Sequence, residues 1–476
     1  MRLSRSGVAL STIEVVLRNA IGLASVAMLA RLLTPTDYGD VVPIYFLMTL
    51  ASGIGDMGIG SAIIRHHDLG REAESTAFWL NLGLSCAVAS IVLLGTRTFL
   101  DDDGGNLFLY AVAAMVGVVT AASGSVHQSM MMREGSFGQL LALSSMSSVT
   151  AAAAALFIAY RGGGAWALVA QVMVAGVVSG IGAWAISSWR PAMVFRKDTL
   201  RRYLDFGLFL TLAGIVNAMY KHATSMLVLR NLGDTRAGYY SAADRLQGTA
   251  ADFIVGISSR LVFIEFSYSK SASDAGKLFE LSLLAVSLIC ASVFIPVAMG
   301  AESVVRVLLG ERWEAVVDVL RVLCVAGFMW PLEMVCQSLI KARGDLRGYC
   351  ILEFVKRIAG FGVLLLATAG SLIEAAIAMA SLSVLFFVVN AVVATRLIGC
   401  GLAVLSPSIQ TVSVFGSVTV ASILALKQAM GGGMFAEILV LGIGTAVGAL
   451  AAFAMLASRT DHPASTALIR VLLRRR

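Results

Sequence analysis

A-R-L-L-T-P-T-D-Y-G occupies residues 30–39, and L-R-N-L-G-D-T-R-A-G-Y-Y occupies residues 229–240. Each stretch closes an apolar run on an arginine, passes through a short polar turn and restarts at Tyr and Gly. Further along, Q-S-M-M-M-R-E-G (128–135) is matched in spacing by Q-S-L-I-K-A-R-G (337–344). The two offsets are 199 and 209 residues. Two matches at nearly one offset predict a duplicated chain. Its first six apolar segments are echoed by the next six, and a last pair is extra.

Composition places both copies in a membrane. The 476 residues are 58% hydrophobic and 14% charged, with a mean hydropathy of +0.85. A soluble domain carries about a quarter charged residues. A helix of about 20 residues crosses the hydrocarbon core. The apolar runs predict fourteen spans, at 13–33, 41–63, 77–97, 107–130, 137–159, 165–188, 204–230, 238–264, 278–299, 315–340, 347–368, 371–395, 407–427 and 433–457. The fold class expected is therefore an all-α polytopic membrane protein with two pseudo-symmetric six-helix lobes plus two C-terminal helices. The repeat divides the chain into 1–199 (N-lobe), 200–398 (C-lobe) and 399–476 (spans 13–14 and a basic tail). Each half has an even number of spans, so both enter from one side. Such halves are related by an axis along the membrane normal, with a cavity between them.

Charge supports the count. Lys and Arg concentrate on alternate loops, as in W-R-P-A-M-V-F-R-K-D-T-L-R-R (189–202), and on the tail R-V-L-L-R-R-R. The loop at Asp101–Asp103 on the opposite side is acidic. By the positive-inside rule both termini are cytoplasmic. The net charge of +7 then needs no nucleic-acid partner. Trp79, Trp166, Trp189 and Trp313 fall near span ends, where interfacial tryptophans belong. The first run, which contains Arg18 and Arg31, reads as a retained helix and not a cleaved leader. The six cysteines fall in apolar segments without C-x-x-C and read as packing residues, with no disulfide or metal assigned.

Several motifs narrow the reading. S-x-x-x-L-A-R-L-L-T-P-x-D-Y-G (25–39), D-M-G-I-G-S-A-I-I-R (56–65), S-T-A-F-W-L-N (75–81), L-G-D-T-R-A-G-Y-Y-S-A-A-D-R-L (232–246) and L-L-G-E-R-W (308–313) run along the chain. With them the sequence resembles the polysaccharide-transporter, or oligosaccharide flippase (Wzx-like), branch of the multidrug/oligosaccharidyl-lipid/polysaccharide superfamily. The resemblance implies a fourteen-helix fold and transfer of an undecaprenyl-diphosphate-linked oligosaccharide from the cytoplasmic to the periplasmic leaflet. It also implies coupling to an H+ or Na+ gradient, no other cofactor, and work beside polysaccharide polymerase and export machinery. Where such proteins often carry R-N-x-D in span 7, this chain reads Y-K-H-A-T-S (220–225). The basic position is kept as Lys221 and the acid position is Thr224, which puts in doubt any scheme needing a carboxylate there.

Charges inside spans are expensive and mark a cavity, a partner or a helix end. On spans 1, 2, 7 and 8 the informative ones are Arg18, Arg31, Asp56, Lys221, Arg230, Asp244, Arg245, Asp252 and Arg260. A diphosphate headgroup needs cations along its path, and arginine grips phosphate in bidentate fashion. The competing readings are structural. Arg31 and Arg230 sit at span ends, where long side chains snorkel. Arg245 and Asp252, seven apart, share a helix face and either bracket an ion or pair with a neighbouring helix. Arg18 and Lys221 lie further from the ends, with an interhelical pair as their alternative. On spans 10 and 11, Glu333 follows Pro331 at an expected kink, and Glu353 precedes Lys356 and Arg357 at spacings that favour a local ion pair. Asp56, among glycines at 53, 55, 58 and 60, has three readings: accepting freed backbone N–H groups, pairing with Arg18, or carrying a coupling proton.

No histidine has metal-ligand spacing, no G-x-x-x-x-G-K-[ST] marks an ATP-driven pump, and no nucleophile–base motif occurs. The rivals are a multidrug exporter of the same fold, a lipid II flippase, and a membrane-embedded glycan polymerase or acyltransferase. The first would favour an acidic cavity, whereas the charges singled out on spans 1, 2, 7 and 8 are six bases and three acids. The last would need acid/base residues in a large outer loop, and the outer loops here are short.

Overall fold

The structure, a computed structural model, describes residues 5–56, 60, 63, 70–99, 106–268, 271–343, 346–430 and 434–458. The described residues form helices and short connections, with no strand among them. Each of the fourteen expected spans falls on a helix among the described residues. These are α1 (Arg5–Leu32), α2 (Val42–Asp56), α3 (Arg71–Phe99), α4 (Asn106–Glu134), α5 (Phe137–Tyr160), α6 (Trp166–Ile186) and α7 (Lys197–Leu232). They continue as α8 (Asp234–Tyr268), α9 (Ala272–Met299), α10 (Val316–Arg343), α11 (Leu346–Ala367), α12 (Leu372–Leu397), α13 (Ser406–Met430) and α14 (Met434–Ser458).

Ten helices among the described residues are long and apolar enough to cross a membrane. The other four are α2, α7, α8 and α11. Of α2, 15 residues are described. The remaining three hold charges within their length, including Lys221 on α7, Asp244, Arg245 and Asp252 on α8, and Glu353, Lys356 and Arg357 on α11. Lower mean hydropathy thus marks α7, α8 and α11, which carry several of the candidate residues.

Local sequence sets the helix ends. Thr34 and Asp37 form a capping box: the Asp37 N–H donates to Thr34 Oγ1 at 3.4 Å and the Thr34 N–H donates to Asp37 Oδ2 at 2.7 Å. Pro35 takes the first helical position of the short helix Pro35–Asp40, where its missing N–H costs nothing. The second copy uses a different device. Gly233 caps α7 at φ +86°, in the region that favours glycine, and α8 starts at the next residue.

The chain forms two compact units, one of residues 1–241 with 350–369 and one of 242–349 with 370–476. In the first unit α4 packs along α6, α5 lies against α1 and α6, and α2 lies against α7. The α4–α6 contact uses small residues: a methyl on Gly176 would overlap the Gly117 carbonyl, and one on Gly124 would press the backbone of Gly180. Helix α11 joins this unit beside α7, where Asn231 Nδ2 donates to Thr368 Oγ1 at 3.0 Å. In the second unit α10 packs along α12 and α9, and α13 packs against α9 and α14. Ala291, Phe415 and Ala452 form one core where the last three meet.

The duplication is visible in this packing. The α4–α6 contact of the first copy returns as the α10–α12 contact of the second. Gln128 on α4 donates to Ser179 on α6 at 3.0 Å, and its repeat partner Gln337 is a hydrogen-bonding residue of α10. One difference concerns Trp313, which the sequence places at an interface. It is fully buried, three residues after Gly310 at φ +97°.

Candidate functional site

The two motifs that define the repeat meet each other within the first unit. A Cβ on Gly39 would overlap the Asp234 carbonyl, and a Cβ on Gly238 would overlap the Pro35 carbonyl. Asp234 and Gly238 lie 199 residues beyond Pro35 and Gly39. Residue 39 therefore touches the repeat equivalent of 35, and the equivalent of 39 touches 35. That reciprocity is what a two-fold axis produces at an isologous contact. Only glycine admits so close a backbone approach. Tyr38, Ala237 and Tyr240 are fully buried around it.

The seam is acidic at its rim. Asp37 lies against Gly164 of the R-G-G-G turn, so that a Cβ there would meet Asp37 Oδ1 at 2.7 Å. Asp40 reaches the surface, yet partial loss of water, then the Asp234 and Asp37 carboxylates, push its carboxyl above the ordinary value.

The candidate cations are spread out. Arg18 and Arg31 on α1 and Arg230 in the last turn of α7 are exposed, whereas Lys221 is half-buried on α7. On the part of α8 in the second unit, Arg245 and Asp244 are half-buried and Asp252 is exposed. Asp244 Oδ1 accepts from Gln247 Nε2 at 2.9 Å. The side chains of Asp56 and Arg260 lie outside the described residues.

Two buried polar networks stand out. On α11, Glu353, Lys356 and Arg357 are at most 6% exposed. Glu353 Oε1 is 2.6 Å from Lys356 Nζ, and Oε2 is 3.6 Å from Arg357 Nη2, which are the local pairs that the spacing predicts. The Arg357 guanidinium also stacks on the Tyr220 ring of α7 at 4.9 Å, next to Lys221 in sequence. On α10, two residues past Pro331, Glu333 Oε1 accepts from Gln337 Nε2 and from Asn390 Nδ2 of α12, each at 3.1 Å. Tyr349 Oη then donates to Gln337 Oε1 at 3.0 Å. Glu333 lies 209 residues beyond Gly124. The α10–α12 contact of the second copy thus carries a carboxylate hydrogen-bonded to an amide, whereas the α4–α6 contact of the first brings Gly124 against Gly180.

Sequence reasoning missed a third network. Glu74, 5% exposed, pairs with Arg133 of α4 and accepts from the Trp189 indole at 2.9 Å. The expected span 77–97 left Glu74 in a loop, whereas α3 starts at Arg71. The signal available was Arg133 near the end of the α4 run, which needs a counter-charge if buried.

The lipopolysaccharide biosynthesis protein WzxC of Escherichia coli (strain K12) is 24% identical over 353 residues, covering 72% of this chain and 70% of that protein. The succinoglycan biosynthesis transport protein ExoT of Rhizobium meliloti (strain 1021) is 25% identical over 314 residues, covering 64% of this chain and 63% of that protein. Among solved structures, the lipid II flippase MurJ in an inward closed conformation superposes with a TM-score of 0.73 at 9% identity, over 94% of this chain and 99% of that one. The profile of the polysaccharide biosynthesis protein family matches residues 28–318, well over half of the chain, and this membrane protein belongs to that family.

Proposed function

We infer that this chain is a flippase. It moves an oligosaccharide unit linked to undecaprenyl diphosphate from the cytoplasmic to the periplasmic leaflet, for assembly of an exported or surface polysaccharide. The observation that carries this reading is the reciprocal contact of Pro35 with Gly238 and of Gly39 with Asp234. Repeats related by a two-fold axis can rock against each other to deliver alternating access. Family membership supports a cargo of polysaccharide biosynthesis, and the relatives' names support transport and lipopolysaccharide or succinoglycan assembly.

The chemistry follows from the cargo. A diphosphate cannot shed its charge cheaply in a low-dielectric path, so cations must replace its water while the polyprenyl tail stays in the bilayer. Arg18, Lys221, Arg245 and Arg260 take that role, with Arg31 and Arg230 at the helix ends. The acids Asp56, Asp244, Asp252, Glu333 and Glu353 supply coupling or hold neighbouring helices. Glu333 is the best coupling candidate, because a buried carboxylate beside a proline break can take up H+ or Na+. The lobes are residues 1–199 and 200–398, with 399–476 appended, and both termini face the cytoplasm of the inner membrane. The protein is a transporter and not an enzyme, and it hands its cargo to polymerase and export machinery.

The test is deletion of the gene, with lipid-linked oligosaccharide measured in each leaflet alongside exported polysaccharide. Completed units accumulating on the cytoplasmic leaflet are expected. Units reaching the periplasmic leaflet at the normal rate would refute the reading. Lipid II is the second cargo to assay, because the MurJ fold covers nearly the whole chain.

A further inference from the structure

Residues 187–196 join α6 to α7 without helix, yet they are firmly held. Along one edge this linker lies on the first turns of α3. The Trp79 indole donates to the Ala192 carbonyl at 2.9 Å, and the Ala192 N–H donates to Ser75 Oγ at 2.9 Å. The Arg196 N–H donates to Thr76 Oγ1 at 3.1 Å, and the Trp189 indole donates to Glu74. Behind it, Phe78, Trp184 and Trp189 surround His127. The opposite edge carries Met193, 86% exposed, and Phe195, 51% exposed. A segment pinned by this many bonds shows two large apolar side chains outward in a fixed pose.

Their neighbours are cationic. Glu74 is taken by Arg133 and Glu72 by Arg196, at 2.9 Å for the latter. Arg71 and Arg190 have no carboxylate within 4.0 Å among the described residues. Arg71 donates to the Arg190 carbonyl, while Arg190 donates to the carbonyls of Ser187 and Trp189 and lies 5.8 Å from the Trp184 ring. Backbone carbonyls orient these guanidiniums without neutralising them.

We propose that the linker is a leaflet anchor: Met193 and Phe195 insert into an anionic bilayer surface while Arg71 and Arg190 bind its phosphate headgroups. Apolar side chains beside unneutralised arginines, at helix ends lined with tryptophans, match the apolar depth and negative surface of such a leaflet. The anchor rests on the reading that the chain spans a membrane, and not on the identity of the cargo.

The full-length protein, in a Cys86→Ser background, receives a nitroxide at Met193→Cys or Phe195→Cys and is placed in nanodiscs. One set is neutral phosphatidylcholine, and in the other about a third of the lipid is phosphatidylglycerol. Label depth is read from relative access of oxygen and a water-soluble nickel complex. A label at Ile91→Cys, where the side chain is 68% exposed in the middle of α3, serves as reference. Expected are a deep Ile91 label in both lipids, labels at 193 and 195 below the headgroups in anionic discs, and shallower labels in neutral ones. About 1 kcal/mol per arginine near an anionic surface corresponds to about fivefold in inserted population for each. Arg71→Gln with Arg190→Gln therefore removes most of the difference between the lipids. Thermal unfolding in each lipid reports whether the double variant keeps its fold. In case it does not, Arg190→Gln alone carries the test and loses about fivefold. Labels at 193 and 195 in water in both lipids, with Ile91 deep, overturn the anchor. Equal depth in both lipids overturns the anionic-headgroup part. An Ile91 label in water would instead overturn the membrane reading itself.

Discussion

Gly39→Ala and Gly238→Ala should behave as one mutation made twice. Each added methyl meets a backbone carbonyl, of Asp234 in one case and of Pro35 in the other, so no side chain can rotate away. Overpacking of this kind costs about 1–3 kcal/mol. Because the strain exists only while the seam is closed, it acts on the closed-to-open equilibrium, shifting it about 5- to 150-fold toward open. Both glycines lie within helices, where alanine is better by up to about 1 kcal/mol, so overall unfolding stability should change little. Gly22→Ala has open space around it and serves as the control that gains helix propensity without strain. The assay is pulsed electron–electron resonance between nitroxides at Thr36 and Arg236, both exposed, in nanodiscs. Each alanine should enlarge the long-distance population to a similar extent, and polysaccharide export should fall with it. The two residues share one seam, so the double variant should fall short of the sum of the singles. An unmoved distance distribution in both variants, or an effect from one glycine alone, would refute the two-fold argument.

Other measurements probe the remaining groups. Glu353→Ala removes the carboxylate that Lys356 and Arg357 share in a buried site and should cost about 3–5 kcal/mol of stability, whereas Glu353→Leu with Lys356→Met and Arg357→Leu should unfold closer to wild type in a thermal melt. Export surviving in that triple variant would confirm a structural role for the cluster. Glu74→Ala removes the carboxylate paired with half-buried Arg133 and frees the Trp189 indole, so limited proteolysis should open the 187–196 linker at a lower temperature than in wild type. The Asp40 carboxyl is raised in the closed seam, so the closed form binds more protons than the open one. Closure should therefore strengthen as pH falls toward that raised value and weaken as pH rises through it, and Asp40→Asn should remove the dependence in the resonance assay. Arg18→Gln with Lys221→Gln should reduce export at normal protein level, and unchanged export would remove both from the diphosphate path.

Much of the fold was legible because a bilayer imposes a long, apolar, periodic signature that a single sequence carries openly. All fourteen spans land on helices, and the paired motifs at residues 30–39 and 229–240 proved to be physical neighbours. The site was less legible, because a buried charge is decided by partners that sequence does not place. Glu353 was readable, since its partners are three and four residues away on its own helix. Glu333 was only half readable. Pro331 announces a break, but nothing in the sequence ties Glu333 to Asn390, 57 residues on. Glu74 was hidden because a polar approach to a span looks like a loop until α3 is seen to begin at Arg71.

The repeat supplies what local reading lacks. Once the α4–α6 and α10–α12 contacts are recognised as copies, Gly124 against Gly180 becomes the baseline for Glu333 against Asn390. Two glycines at a helix crossing need only proximity. A carboxylate and an amide at the same crossing must be desolvated and hydrogen-bonded to be tolerated, so they cost more than the contact requires. Packing alone does not explain that expense, since the first copy achieves the crossing without it. The departures of one copy from the other are therefore where function is to be sought, and Glu333 ranks above charges such as Arg31 and Arg230, whose positions at helix ends already account for them.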